Sequence, residues 1–281
     1  MIVDFHVHLF PPQVKEDRVP YLQRDAGFRQ LYDSPKARIA TADELLLSMD
    51  EAGVDVSVIQ GFGWSTQDLC REHNDYLLEA AALHPDRLIP FCTVQPLAGQ
   101  EAIAEILRCV SAGTRGVGEL RPEDQGFDTH DWAALGGIAD WVGERPLPLL
   151  IHASEPVGHQ YAGKGLMTPD KLYKLITIFP TSPVILAHLG GGLPFYAAMP
   201  EVHTALEHTW VDTAAWPFLY NASVFPALVD LFGGDKILFA SDFPLLSQKR
   251  VLDATRALPL PPSVLDDILG NNAARLLGLG E

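Results

Sequence analysis

The chain has 281 residues, 47% hydrophobic and 20% charged, a balance that excludes a disordered protein. Its 20 Lys and Arg against 36 Asp and Glu give a formal charge of −16, which argues against a protein that coats nucleic acid through basic contacts to phosphate. Three cysteines (Cys70, Cys92, Cys109) form no CxxC pair, so buried free thiols in a reducing, cytoplasmic setting are expected rather than a disulfide scaffold. Met1 to His6 carries neither a basic n-region nor a long apolar run, so no signal peptide is expected.

In chain order, Ile2–Val7 reads as a first strand. Residues Phe10 to Ala40 contain Pro11, Pro12, Pro20 and Pro35 and few helix-period apolar residues, which predicts a loop or lid after that strand. Its six basic residues against four acidic ones make it locally positive, able to draw in a carboxylate-bearing substrate or simply solvated. Thr41-Ala42-Asp43-Glu44 caps a helix that Gly53 ends. Further strands are predicted over Val54–Gln60, Leu88–Val94, Gly116–Leu120, Leu147–His152, Val184–His188, Trp210–Ala214 and Ile237–Ala240. Each is rich in Val, Ile, Leu or Phe without strict alternation, as parallel strands covered on both faces are. Helices are predicted over 68–83, 100–112, 131–142, 169–179, 224–232 and 248–257, and Pro261-Pro262 opens a last one that runs through Asp266 to Leu277. Leu175 to Pro200 holds no Asp, Glu, Lys or Arg, but Pro180, Pro183, Pro194 and Gly190-Gly191-Gly192 break it up, so no membrane span is expected. Eight strands, each followed by a helix-like segment, predict an α/β fold of the (β/α)8 TIM-barrel type, with a single domain over 1–281; a doubly wound open sheet is the alternative.

His6-Val7-His8 places two imidazoles two residues apart, on one face of a strand, at its carboxyl end. Asp4 continues that face and is expected to orient a ring. Glu119 closes the fourth predicted strand, His152 the fifth and His188 the sixth, and Asp242 follows the eighth. The carboxyl ends of the strands are where barrel enzymes build their sites. Imidazole nitrogens and carboxylates gathered there predict a metal site for a borderline cation.

Several of these pieces have a family likeness. His6-Val7-His8, His152, Ala187-His188-Leu189-Gly190-Gly191-Gly192, Leu238-Phe239-Ala240-Ser241-Asp242-Phe243-Pro244 and Asn271-Asn272-Ala273-Ala274-Arg275-Leu276-Leu277 together resemble the amidohydrolase superfamily. Within it, the chain is similar to the amidohydrolase-2 branch of metal-dependent hydrolases and decarboxylases. The resemblance implies one or two divalent ions, zinc first among them, held by His6, His8, His152 and Asp242. It also implies that Asp242 acts as general base and that His188 either polarises the substrate or binds a second metal. Glu119 departs from the decarboxylases of the branch and looks like the strand-four Glu that bridges two metals in TatD-type hydrolases. The leading expectation is therefore a metal-dependent hydrolase of a small amide, cyclic amide, lactone or ester. A non-oxidative decarboxylase of a small carboxylic acid is the alternative, and a metal-binding protein without catalysis is a third reading.

Around these residues, Arg121 is expected either to clamp a substrate carboxylate or to form a surface salt bridge. His159, with Glu155, Tyr161 and Lys164, falls in the loop after strand five, where barrel loops contact substrate. Trp216, Phe218 and Tyr220 either wall an apolar pocket or pack their own loop. His73, His84, His130, His203 and His208 are expected to have no partners. Gly190-Gly191-Gly192 supplies backbone freedom beneath His188 rather than a nucleotide cradle, because no phosphate-binding glycine pattern accompanies it. The partner expected is a small-molecule substrate, and a homo-oligomer is compatible with the sequence.

Overall fold

The computed structural model describes residues 1–128, 135, 137–139, 142 and 147–280. The apolar runs form eight strands: β1 Val3–His8, β2 Val56–Gln60, β3 Leu88–Cys92, β4 Gly116–Leu120, β5 Leu149–Ile151, β6 Val184–Leu186, β7 Thr209–Asp212 and β8 Ile237–Leu238. They pair in parallel and in sequence order, β1 to β8, as a (β/α)8 barrel. The ring closes through backbone bonds from Phe5 N–H to Phe239 O (2.8 Å), Asp242 N–H to His6 O (3.0 Å) and His8 N–H to Phe243 O (2.8 Å).

Five of the eight strands end one or two residues earlier than predicted, β2 and β4 end as predicted, and β1 runs one residue further. The ladder stops where the chain turns toward the site: His188 (φ 55°) and Asp242 (φ 62°) adopt left-handed backbone that no strand accommodates. Val3, Phe5, Val58, Ile89, Phe91, Leu150, Ile185 and Leu238 fill the barrel interior, with Phe5 and Phe91 edge to face at 5.6 Å. A larger apolar layer lies between the outer faces of the strands and the helices.

Helices follow the predicted pattern at Ala42–Ala52, which carries a Thr41/Glu44 capping box and a left-handed Gly53, and at Gln67–Leu83, Gln100–Ser111, Pro169–Ile176, Val224–Phe232 and Gln248–Arg256. Seven of the twelve residues of the helix expected over 131–142 lie outside the described residues, as does His130. Among the described residues no helix is long and apolar enough to cross a membrane.

The stretch from Phe10 to Ala40 is not the bare loop its prolines suggested. It folds into three short helices, Pro12–Glu16, Val19–Arg24 and Ala26–Tyr32. Their apolar residues do not follow a helical period because they serve a separate aromatic core: Phe10, Tyr21 and Phe28 pack with Phe62 and Trp64 from the loop after β2. Asp25 pins the two pieces together, accepting from Phe28 N (2.7 Å), Ser65 N (2.8 Å) and Ser65 Oγ (2.7 Å).

Candidate active site

Two irregular strands aim the polar residues. The register of β1 shifts between Asp4 and Val7. Such a bulge breaks the alternation of faces, so Phe5 and His6 both point into the barrel while Val7 joins the outer layer. Asp4 is thereby turned away from His6, contrary to the expectation that it orients a ring. It accepts instead from Ser241 Oγ (2.5 Å) and Gln248 Nε2 (2.8 Å). In β4 the register shifts between Val117 and Leu120, both on the outer side, and Glu119 turns inward. Gly118 makes this possible: its φ is 145°, and a Cβ there would lie 2.6 Å from Leu150 O.

The ring that Asp4 does not orient is held by Asp212, at the end of β7. Its Oδ2 accepts from His6 Nδ1 (2.8 Å), and its Oδ1 accepts from the backbone N–H of His188 and of Ala214 (2.9 Å each). Because a carboxylate can only accept, His6 Nδ1 carries the hydrogen and Nε2 is bare. The same reasoning covers the other rings, whose partners are carbonyls. His8 Nδ1 donates to Gly61 O (3.1 Å), His188 Nδ1 to Ala214 O (3.0 Å) and His152 Nε2 to Gly163 O (3.0 Å). That leaves His8 Nε2 and His188 Nε2 as acceptors, while His152 Nδ1 faces both a carboxylate, Glu119 Oε1 (2.9 Å), and a donor, Arg121 Nη1 (3.0 Å).

These bare nitrogens converge with two carboxylates. His6 Nε2 and His8 Nε2 are 3.0 Å apart; Asp242 Oδ1 lies 3.9 Å from the first and 3.8 Å from the second, and Glu119 Oε2 lies 3.6 Å from His8 Nε2. Glu119 Oε1 is 2.9 Å from His152 Nδ1. His6, His8 and Glu119 form one group able to surround an ion, and Glu119, His152 and His188 form an adjoining one. Facing lone pairs repel unless a positive charge lies between them. Without a metal, a proton takes that place. Burial disfavours a charged His6, but the Asp212, Glu119 and Asp242 carboxylates outweigh it and raise His6 to about 10. Burial, and then the charge on His6, push His8 down to about 4. Glu119 stays well below the ordinary carboxylate range, because His152, His6 and Arg121 overcome its burial. A buried set of imidazole nitrogens and carboxylate oxygens, with each ring oriented by an outer partner, fits a divalent cation. The set differs in emphasis from the expected one, since Glu119 joins the two groups while Asp242 stands slightly further off.

Above this cluster opens a cavity of about 740 Å³, bordered by His8, Glu119, His152, His188 and Asp242. Tyr32, Phe62, Arg121, His159, Tyr161 and Phe218 also line it, and Lys36, Arg38 and Arg250 are exposed at its edge. Arg121 is buried rather than part of a surface salt bridge. Its Nε donates to Asp124 (2.6 Å), its Nη1 lies 3.0 Å from His152 Nδ1, and its guanidinium sits 5.8 Å from the Phe62 ring centre. Tyr161 donates to Glu155 Oε2 (3.2 Å) and lies beside His159.

Trp216, one of the residues expected to touch substrate, does not border this cavity. It packs edge-on against Phe225, and its indole donates to Thr255 Oγ1 (3.1 Å); its neighbour Phe218 takes the wall position. His73 is not partnerless: it accepts from Trp64 Nε1 (2.9 Å), bonds Leu9 O through Nε2 (2.5 Å) and stacks on Phe10. Asp212 and Tyr32 were not singled out from the sequence. Asp212 carried a usable signal, because it stands at the end of a predicted strand like the other ionisable site residues.

The amidohydrolase family profile matches residues 3–279. The chain belongs to the amidohydrolase family. Solved structures of similar fold include 5-carboxyvanillate decarboxylase from Sphingomonas paucimobilis, at 17% identity and TM-score 0.82 over 99% of this chain and 98% of that one. Another is 2,6-dihydroxybenzoate decarboxylase from Rhizobium, at 20% identity and TM-score 0.77 over 100% and 99% of the two chains. A third, dihydroxybenzoic acid decarboxylase from Polaromonas sp. JS666 with bound manganese and an inhibitor, is 18% identical with TM-score 0.72 over 100% and 97%. The amidohydrolase-family barrel of this chain therefore has the fold of several aromatic acid decarboxylases.

Proposed function

We propose that this amidohydrolase-family protein is a metal-dependent, non-oxidative decarboxylase of a small ring carboxylic acid, in preference to the hydrolase first expected. The observation that carries the reading is the buried Arg121 guanidinium lining the same cavity as the acceptor cluster, beside the Phe62 ring, with Tyr161 also on the cavity wall. Asp124 takes its Nε and His152 meets its Nη1, which leaves Nη2 without a hydrogen-bond partner among the described residues. A fixed cation in a low-dielectric pocket suits a carboxylate, and an aromatic slot suits a planar ring. The decarboxylase names of the similar structures point the same way.

His6, His8, Glu119, His152 and Asp242 would hold the cation, with His188 beside them. The mixed nitrogen and oxygen set accommodates both zinc and manganese; intrinsic affinity favours zinc, whereas the carboxylates of the set and the manganese of the Polaromonas structure favour manganese. When bound, the ion would gather the substrate's oxygens and take up negative charge developing on the ring. In the reaction the bond between the ring carbon and its carboxylate breaks, CO2 departs, and the electron pair left on carbon takes a proton. Asp242, at the cavity floor, delivers that proton and regains one from solvent, so one proton is consumed for each CO2. His188 Nδ1 is committed to Ala214 O, which leaves its other nitrogen an acceptor, suited to orienting substrate rather than to giving a proton. Hydrolysis of a lactone or cyclic amide is the second reading, favoured by the place of Glu119 between the two ligand groups.

Manganese-loaded protein offered hydroxylated benzoic acids alongside small esters, lactones and cyclic amides tests the assignment. Release of CO2 without hydrolysis is expected. Hydrolysis of any of the latter, with no CO2 from any acid, would replace this reading by the second.

A further inference from the structure

We propose that Lys36, Arg38 and Arg250 form a second anion subsite at the mouth of the cavity, and that the substrate carries a second acidic group beyond the carboxylate it loses. This rests on the decarboxylase reading for the first carboxylate only. The protein has 36 acidic residues against 20 basic ones, so an unselected stretch of its surface is acidic. The cavity reverses that bias. Its lining contains two carboxylates, Glu119 and Asp242, both belonging to the buried cluster; every charged residue at its exposed edge is a cation. None of the three forms an ion pair with another described residue, although acidic partners are plentiful elsewhere on the chain.

The edge is also partly ordered. Arg250 begins the helix after β8, its N–H accepted by Ser247 Oγ (3.3 Å), and its guanidinium lies 5.2 Å from the centre of the Phe218 ring. Phe218 is 47% exposed, an apolar wall left open beside a cation. Lys36 and Arg38 follow the short helix Ala26–Tyr32, whose packing against the aromatic core fixes where they emerge. A ring acid with one carboxylate is served by Arg121 and the metal cluster and leaves this cationic edge unused. A cavity of about 740 Å³ leaves room for a ring that bears a further charged substituent.

The test uses manganese-loaded protein and three ring acids: salicylate, 4-hydroxyisophthalate, which adds one carboxylate, and 5-carbomethoxysalicylate, which adds a neutral group in its place. Calorimetric titration is expected to give a dissociation constant about tenfold lower for the diacid than for either other ligand, the order that contacts to two or three exposed cations supply. In the triple variant Lys36→Gln/Arg38→Gln/Arg250→Gln that ratio should fall to about one. Equal affinities in the wild type, or a preference that survives in the triple variant, would overturn the subsite. The wild-type comparison stands even if the triple variant folds poorly. A gain confined to the association rate would make the edge a steering field and would also overturn it. Tight diacid binding with no CO2 from any acid would sink the decarboxylase reading alone; CO2 from salicylate and diacid with equal affinities would sink the subsite alone.

Discussion

Replacing Asp212 by Asn should weaken metal binding while leaving the barrel folded. The carboxylate is fully buried and accepts three hydrogen bonds, from His6 Nδ1 at 2.8 Å and from the backbone N–H groups of His188 and Ala214 at 2.9 Å. Asn has the same shape, and its oxygen can keep both backbone bonds. Its amide nitrogen then faces His6 Nδ1 and must donate to it. The hydrogen on His6 moves to Nε2, the atom 3.0 Å from His8 Nε2, and a protonated nitrogen cannot ligate. Loss of an outer partner of this kind costs about 10- to 100-fold in metal affinity, or about 1.4–2.7 kcal/mol. Asp212→Ala is the poorer test. It orphans all three donors at about 1–3 kcal/mol each, a sum large against a total stability of about 5–15 kcal/mol. Manganese titration of the apoprotein against a competing chelator measures the first effect, and a denaturant midpoint checks the fold. Asp212→Asn with manganese affinity within about twofold of wild type would refute the argument that Asp212 sets the His6 tautomer.

Asp242→Asn should retain metal on His6, His8, His152 and Glu119 yet lose about 10²–10⁴-fold in kcat, because an amide cannot carry the proton; wild-type turnover would remove Asp242 from the chemistry. Gly191→Ala should lower the denaturant midpoint by the equivalent of at least about 2 kcal/mol, since its φ is 56° and a Cβ would sit 2.4 Å from the backbone oxygen of Ser154; an unchanged midpoint would contradict this close approach. On the outer side of the barrel, Glu105 meets Arg108, Asn74, Cys109 and Arg71, and despite the opposing effect of burial these partners lower it from 4.5 to about 2. A depressed carboxylate contributes stability that is full above its unfolded value and is lost as pH falls through its folded one. Glu105→Gln should therefore make unfolding less sensitive to pH between about 4.5 and 2, and an identical acid limb in thermal scans of variant and wild type would count against the pairing.

The barrel was legible because its strands are apolar on both faces, a property of composition that survives errors in register. Strand ends were legible only as positions. His152, His188 and Asp242 leave the ladder before they reach the site, and the left-handed backbone of the last two is held by tertiary bonds, from His188 N–H to Asp212 Oδ1 and from Asp242 N–H to His6 O. Face assignment failed at Asp4 because a single bulge in β1 inverts the alternation, and nothing in Val3-Asp4-Phe5-His6 announces the extra residue. The segment from Phe10 to Ala40 hid its helices because Phe10, Tyr21 and Phe28 are spaced for a partner surface on Phe62 and Trp64 rather than for a helical stripe.

The miss at Asp212 shows where the limit of motif reading lies. Taking every ionisable residue at the carboxyl end of a barrel strand would have collected His8, Glu119, His152, His188, Asp212 and Asp242 together. What such a rule cannot separate is which group binds the cation and which one orients a binder. Asp212 and Asp242 are both carboxylates at strand ends, yet one faces a ring nitrogen that must donate and the other faces two that are bare. That distinction comes from which ring atom meets a carboxylate or a carbonyl: Gly61 O for His8, Gly163 O for His152 and Ala214 O for His188. A carbonyl is present at every position of any sequence, so its placement is a product of the fold. The roles of the site residues are therefore a tertiary property even where their identities are a linear one.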